Sequence, residues 1–170
     1  MAGLQLTSGM KALLQEAKVK MGATIIIISD SNSDFICHIL KTLGLDDLVE
    51  KVFTNPASWS EAGLLEIKPY HHQETCDLST ANLCKGQILE DYVKESEKQF
   101  SFLCYVGDGR NDFCPSLRLG EGDLVCVREG FSLQKYIPKM EEKGHRIKAE
   151  VLLWSDAGQI QKRLEEKLTV

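Results

Sequence analysis

Apolar positions along this chain switch between two rhythms, one suited to helices and one to strands. Met10, Leu13, Leu14 and Ala17 recur at helical spacing behind Thr7 and Ser8, either of which can cap the start, and Gly22 fits the stop. The run Ala23 to Ile28 then continues without alternation into Ser29-Asp30. A β-branched run of this kind predicts a strand covered on both faces, as in a parallel sheet. Its polar tail, Ser29-Asp30-Ser31-Asn32, is rich in turn and capping groups. A helix is predicted from about Ser33 to Leu43, with Phe35, Ile36, Ile39, Leu40 and Leu43 as its apolar stripe and Gly44 closing it.

The same alternation carries on. Val49 to Thr54 predicts a second strand, stopped by Asn55-Pro56. From Ala57 to Ser79 the pattern is less regular: Gly63 stands before Leu64 to Ile67, one arm of a candidate hairpin, and the rest reads as loop. A helix is expected over about Ala81 to Glu97, a strand over Phe102 to Val106, and a helix of some three turns over Asn111 to Leu119. Asp123 to Val127 and Glu150 to Trp154 are further strands, and a helix from about Ser132 to Lys143 lies between them. Asp156 can cap a last helix carrying Ile160, Leu164 and Leu168. Strands alternating with helices predict an α/β fold with a parallel sheet, right-handed crossovers and flanking helices.

Candidate chemistry gathers where predicted strands end. Tyr105-Val106-Gly107-Asp108-Gly109-Arg110-Asn111-Asp112 follows an apolar run and puts Asp108 at its tip, with Asp112 four residues on. Ligands of open α/β sheets bind at such tips, and clustered carboxylates suit a hard cation such as Mg²⁺. Ser29 and Asp30 end another strand, and Lys85 lies near the start of a helix. A hydroxyl, an ammonium and a carboxylate-held cation together can bind a phosphate and neutralise its growing charge. Each residue also has a plainer use. Ser29 is equally suited to capping a helix, Lys85 to standing in solvent, and Asp112 or Asn111 to favouring a helix N-terminus.

Composition narrows the picture. With 170 residues the chain predicts one domain with a single core. A net charge of -5 argues against a broad basic surface for nucleic acid. No apolar run approaches a membrane span, and no secretory signal is evident, so a cytoplasmic protein is expected. The cysteines, Cys37, Cys76, Cys84, Cys104, Cys114 and Cys126, form no C-x-x-C pair and read as free thiols, several of them buried. The spacing of His71, His72, Cys76 and Cys84 matches no standard zinc ribbon.

The order of these residues resembles the haloacid dehalogenase superfamily. More closely it resembles the phosphoethanolamine/phosphocholine and pyridoxal phosphate phosphatases. The matching stretches are Ile27 to Asn32, Val52 to Pro56, Asn82 to Lys85 and, most specifically, Tyr105 to Pro115. Weaker echoes are Arg128 to Phe131 and Leu153-Trp154. The resemblance implies a Rossmann-like core and Mg²⁺-dependent hydrolysis of a small phosphomonoester through an aspartyl-phosphate. It implies that Asp108 ligates the metal and Asp112 supports that site. By the same resemblance Ser29 binds the transferring phosphate, Asp30 contacts substrate, and Lys85 orients nucleophile and phosphate.

Two departures follow. Family members open with a strand ending in Asp-x-Asp-x-Thr, which bears the nucleophile and the general acid/base, and no such string occurs in these 170 residues. The expectation is therefore a partial core domain spanning 1–170, without the N-terminal strand and cap, truncated and impaired as a catalyst. The alternative is a non-catalytic phosphate-binding or regulatory relic. Strands flanking the missing one would face a gap or pair with each other, and exposed edges invite association. The family's Cys-x-x-Cys-Pro also becomes Cys76-Asp77-Leu78-Ser79-Thr80, which leaves no paired thiol there.

Overall fold

A computed structural model describes residues 6–169. They group into two compact units, one comprising the chain up to His72 and again from Asp156, the other Gln73–Ser155.

In the first unit, helix α1 (Met10–Val19) precedes strand β1 (Ile26–Asn32), helix α2 (Ser33–Leu43) and strand β2 (Lys51–Asn55). Thr7 and Ser8 do not cap α1 through their side chains. The N-cap is Gly9 at φ 75°, and the turn closes through the Met10 N–H donating to the Thr7 carbonyl. At α2 the polar tail of the strand does cap, with the Asn32 side chain accepting from the Phe35 N–H at 3.0 Å. Gly44, in the left-handed region at φ 63°, ends that helix.

β1 and β2 pair in parallel, Ile26 against Lys51 through Ser29 against Thr54, and the register shifts between Ser29 and Asn32. Ile36, Leu40 and Leu45 form the centre of a core that takes in Leu14, Ile27 and Val52. The expectation that the Ile run is covered on both faces fails. Ile26, Ile27 and Ile28 are all half-buried, because β1 has β2 as its one hydrogen-bonded neighbour among the described residues. The candidate hairpin is real: β3 (Ala57–Trp59) and β4 (Leu65–Ile67) pair antiparallel, with Gly63 at φ 74° in the turn. Helix α6 (Ala157–Leu168) completes this unit, capped by the Asp156 carboxylate accepting from the Gly158 N–H.

In the second unit, helix α3 (Lys85–Glu95) is shorter than its apolar pattern suggests. Ala81 to Cys84 stay outside it, held by a bridge between Thr80 and Leu83. Strands β5 (Cys104–Gly107), β6 (Leu124–Arg128) and β7 (Glu150–Trp154) form a parallel sheet in that order. β6 has a neighbour on each side, and Leu124 to Val127 are fully buried. The three-turn helix expected after β5 is instead a 3-10 turn, Arg110–Asp112, running into a single helical turn, α4 (Phe113–Ser116). Asp112 caps the start of this stretch, its side chain accepting from the Gly109 N–H, and the helix ends at Ser116, before the turn closed between Gly120 and Asp123. Helix α5 (Ser132–Glu141) lies between β6 and β7 in the chain. Both larger sheets are parallel and alternate with helices along the chain, so the α/β, haloacid dehalogenase-like class holds.

Candidate active site

The second unit builds its site from the tip of β5. The chain leaves the sheet at Gly107 and turns sharply, which brings Asp112 back beneath the tip. Gly107 must be glycine for this: a Cβ there would lie 2.6 Å from the Asp112 Cβ and 2.9 Å from its Oδ2. Real Cβ atoms do not approach so closely, so any side chain at Gly107 would displace Asp112, five residues on.

Asp112 is 4% exposed, and both its oxygens are engaged. Oδ2 accepts from the Asp108 N–H at 2.9 Å and the Gly109 N–H at 2.8 Å. Oδ1 accepts from the Lys85 ammonium at 2.6 Å and the Tyr105 hydroxyl at 2.7 Å. Four donors on one buried carboxylate satisfy it well. Burial alone would raise its pKa. The Lys85 charge, then hydrogen bonds from Lys85, Tyr105 and Gly109, outweigh that and hold the carboxyl below its ordinary value. Lys85, at the first position of α3, is itself 8% exposed, so this is a buried ion pair.

Asp108 is the opposite case. Its backbone is fixed on both sides: the N–H goes to Asp112, and the carbonyl accepts from the Leu133 N–H at 2.9 Å in the first turn of α5. Its side chain is about half exposed, 49%, with Arg128 Nη1 3.7 Å from Oδ2. The Arg128 guanidinium at the tip of β6 is steadied over the Phe131 ring at 4.1 Å and the Trp154 ring at 5.7 Å. Two adjacent carboxylates thus divide the work. Asp112 braces the loop from inside, and Asp108 presents hard oxygen donors outward.

The first unit has its own tip at the end of β1. The Asn55 side chain, 5% exposed, donates to the carbonyls of Asp30 at 2.8 Å and Ser31 at 2.9 Å, and accepts from the Tyr70 N–H. The Ser29 hydroxyl accepts from the Ser31 N–H at 3.2 Å, and the Asp30 side chain is exposed. Thr54, the register partner of Ser29, has a buried hydroxyl without a hydrogen-bond partner among the described residues.

Of the residues singled out in the sequence, Lys85, Asp108 and Asp112 come together in the second unit, and Ser29 and Asp30 share the β1 tip in the first. Tyr105 and Arg128 carried no assigned role. Tyr105 looked like an ordinary strand aromatic, and Arg128 sits just past a buried run, where a lone arginine carries little signal. A cavity of about 440 Å³ lined by Leu89, Glu90, Val93, Leu103 and Arg118 shares no residue with the Lys85–Asp112 cluster.

Residues 1–168 match the family described as Putative Phosphatase. This chain belongs to that family. It is a phosphatase family of the haloacid dehalogenase superfamily. The chain is 36% identical over 166 residues to the pyridoxal phosphate phosphatase of Mus musculus, covering 95% of this chain and 68% of that protein. It is 33% identical over 171 residues to the phosphoethanolamine/phosphocholine phosphatase of Homo sapiens, covering 97% of this chain and 63% of that one. To a probable phosphatase of Xenopus tropicalis it is 37% identical over 171 residues, covering 97% and 69%. These relatives are named as phosphatases, and no helix among the described residues is long and apolar enough to cross a membrane.

Proposed function

We propose that these residues supply the phosphate- and cation-handling part of a phosphatase site acting on a small phosphomonoester. The candidates are pyridoxal phosphate, phosphoethanolamine and phosphocholine, the substrates named for the relatives. The observation that carries the reading is the saturated Asp112 carboxylate, which holds the β5 tip so that Asp108 faces outward beside Arg128.

The donor set fits Mg²⁺, which accepts one or two carboxylates and keeps several waters. Asp108 would offer it oxygen, and Asp112, its oxygens already engaged, would support the site from behind. Such an ion would supply positive charge beside a phosphoryl oxygen. Lys85 has three N–H donors, of which Asp112 takes one, so the ammonium can also orient a phosphate oxygen. In the first unit, taken by itself, the Ser29 hydroxyl is the candidate phosphate contact and Asp30 the candidate substrate contact.

No Asp-x-Asp-x-Thr string occurs in these 170 residues, so the reading is of phosphate binding with impaired turnover. The test is a phosphorus NMR titration of inorganic phosphate with and without Mg²⁺, beside an assay on the three phosphomonoesters. Mg²⁺-dependent binding that disappears in Asp108→Asn, without turnover, is the expected result. Equal binding by wild type and Asp108→Asn overturns the site. Turnover at enzymatic rates overturns the clause on impairment.

A second reading rests on the edges. β1 and β5 each have one hydrogen-bonded neighbour among the described residues, and Val106 on β5 is 40% exposed. An unpaired strand edge is a template for another strand, which favours a regulatory relic that associates with a complete relative. Size-exclusion chromatography of the mixture decides it, since two independent peaks at all ratios leave no room for that association.

A further inference from the structure

Three cysteines the proposed reaction does not use converge in the second unit. The Cys114 sulfur lies 3.5 Å from that of Cys76 and 3.8 Å from that of Cys84, and all three fall within 4.8 Å of one another. These separations are far beyond a disulfide bond of about 2.05 Å. They match a different geometry. A tetrahedral Zn²⁺ bound at about 2.3 Å to each sulfur sets its sulfurs about 3.8 Å apart. The Ser79 hydroxyl, hydrogen-bonded to the Cys76 sulfur at 3.5 Å and the Cys84 sulfur at 3.2 Å, is the candidate for a fourth position. An oxygen ligand at about 2.0 Å would stand about 3.5 Å from such sulfurs.

The surroundings hold these atoms in place. The buried Gln73 side chain ties the loop that carries Cys76 and Ser79, accepting from the Cys76 N–H at 2.9 Å and donating to the Thr80 carbonyl at 2.9 Å. Cys84 is the residue before α3, and Cys114 lies in α4. Gly86 makes room for the latter, since a Cβ there would come within 2.5 Å of the Cys114 sulfur. The same Cβ would lie 3.2 Å from Arg118 Nε, so a cation stands beside a cluster that would carry excess negative charge when metallated.

We propose that Cys76, Cys84 and Cys114, with Ser79, form a structural site for a soft divalent cation, Zn²⁺. Sulfur ligands select it against Mg²⁺, which prefers oxygen. Each bound thiol gives up its proton to solvent, so binding releases protons and consumes no electrons. The site pins the loop before α3 to α4. Cys84 precedes Lys85 directly and Cys114 follows Asp112 by two residues, so the staple joins the two arms that carry the buried ion pair. Sequence spacing gives no hint of it. Of His71, His72, Cys76 and Cys84, whose spacing matched no standard zinc ribbon, Cys76 and Cys84 belong to this cluster, and Cys114 joins them from 38 residues beyond Cys76.

The test uses the reduced, metal-free 170-residue chain and Co²⁺ as a spectroscopic stand-in, followed by Zn²⁺ competition against a chelator. One equivalent of Co²⁺ should give thiolate-to-metal charge transfer and the intense visible bands of tetrahedral coordination. Cys76→Ser should weaken Zn²⁺ binding by more than about tenfold, and Ser79→Cys, adding a fourth thiolate, should tighten it by about as much. Cys37→Ser, at an exposed cysteine outside the cluster, should change nothing. Because Ser79→Cys gains affinity, a folding defect cannot imitate it. Sub-stoichiometric uptake overturns the proposal, as do octahedral Co²⁺ spectra or equal affinities in wild type, Cys76→Ser and Ser79→Cys. None of these readouts depends on phosphate binding.

Discussion

The two strand tips solve one problem with opposite polarity. At the end of β1, Asn55 reaches in and donates to the Asp30 and Ser31 carbonyls. At the end of β5, Asp112 reaches in and accepts from the Asp108 and Gly109 N–H groups. Both braces are almost fully buried, and both leave the side chain of a tip aspartate, Asp30 or Asp108, reaching solvent. The neutral amide meets backbone groups, donating to two carbonyls and accepting from the Tyr70 N–H. The carboxylate brings a charge into the interior, so it needs Lys85 beside it and Tyr105 to finish its coordination. The lesson is that a charged brace recruits a charged partner, here the Lys85 ammonium, where a neutral brace needs none.

The sharpest way to break this comparison is to remove the charged brace. Asp112→Ala leaves Lys85 buried without its counterion and two tip N–H groups without an acceptor, and should cost about 3–5 kcal/mol in urea unfolding. The neutral brace should matter less: Asn55→Ala should cost about 1–3 kcal/mol. Equal losses at the two tips would show that the charge adds nothing to the hydrogen bonds.

Acid sharpens it further. Asp112 has a folded pKa below its unfolded value of about 3.9, so its contribution is fully present above that value. That contribution is lost as pH falls through the folded pKa. Urea midpoints followed downward from about pH 6 should therefore fall more steeply below about pH 4 in wild type than in Asp112→Asn. Asn55→Ala should keep the wild-type acid slope.

Crowding distinguishes the β5 tip next. Gly107→Ala pushes a methyl into the Asp112 side chain and should cost about 1–3 kcal/mol, with loss of phosphate binding. Gly122→Ala, where a Cβ meets nothing within 4 Å, is the matched control and should stay within about 0.5 kcal/mol. The smallest effect on stability belongs to the β1 tip: Ser29→Ala loses one exposed local hydrogen bond and should shift the unfolding midpoint by no more than about 0.5 kcal/mol. A fall in phosphate affinity in that same variant, read by the NMR titration, would separate the binding role from the local turn.

Much of this was legible along the chain. The Ile run, the hairpin around Gly63 and the capped starts of α2 and α6 are all local patterns, and they form where expected. The misses have physical causes. The Ile run of β1 looks like a central strand because its residues are uniformly β-branched, yet burial depends on how many neighbours a strand acquires. The helix after Gly109 is shorter than its apolar pattern because the chain leaves it at Ser116 for the turn that Asp123 closes on Gly120. Arg128 gains its place from the Phe131 and Trp154 rings and from Asp108, contacts that no local pattern announces.

By itself the sequence determined the alternation of strands and helices, the glycine-flanked Asp108 at a strand tip and the kinship with a phosphatase family. Those features rest on neighbours a few residues apart, whose spacing and sterics act before the chain is folded. Only the tertiary structure decided which of two carboxylates turns inward, that Lys85 meets the one 27 residues away, and that three scattered thiols share one corner. Parallel strands force long connections between adjacent tips, so the groups that meet there come from distant parts of the chain.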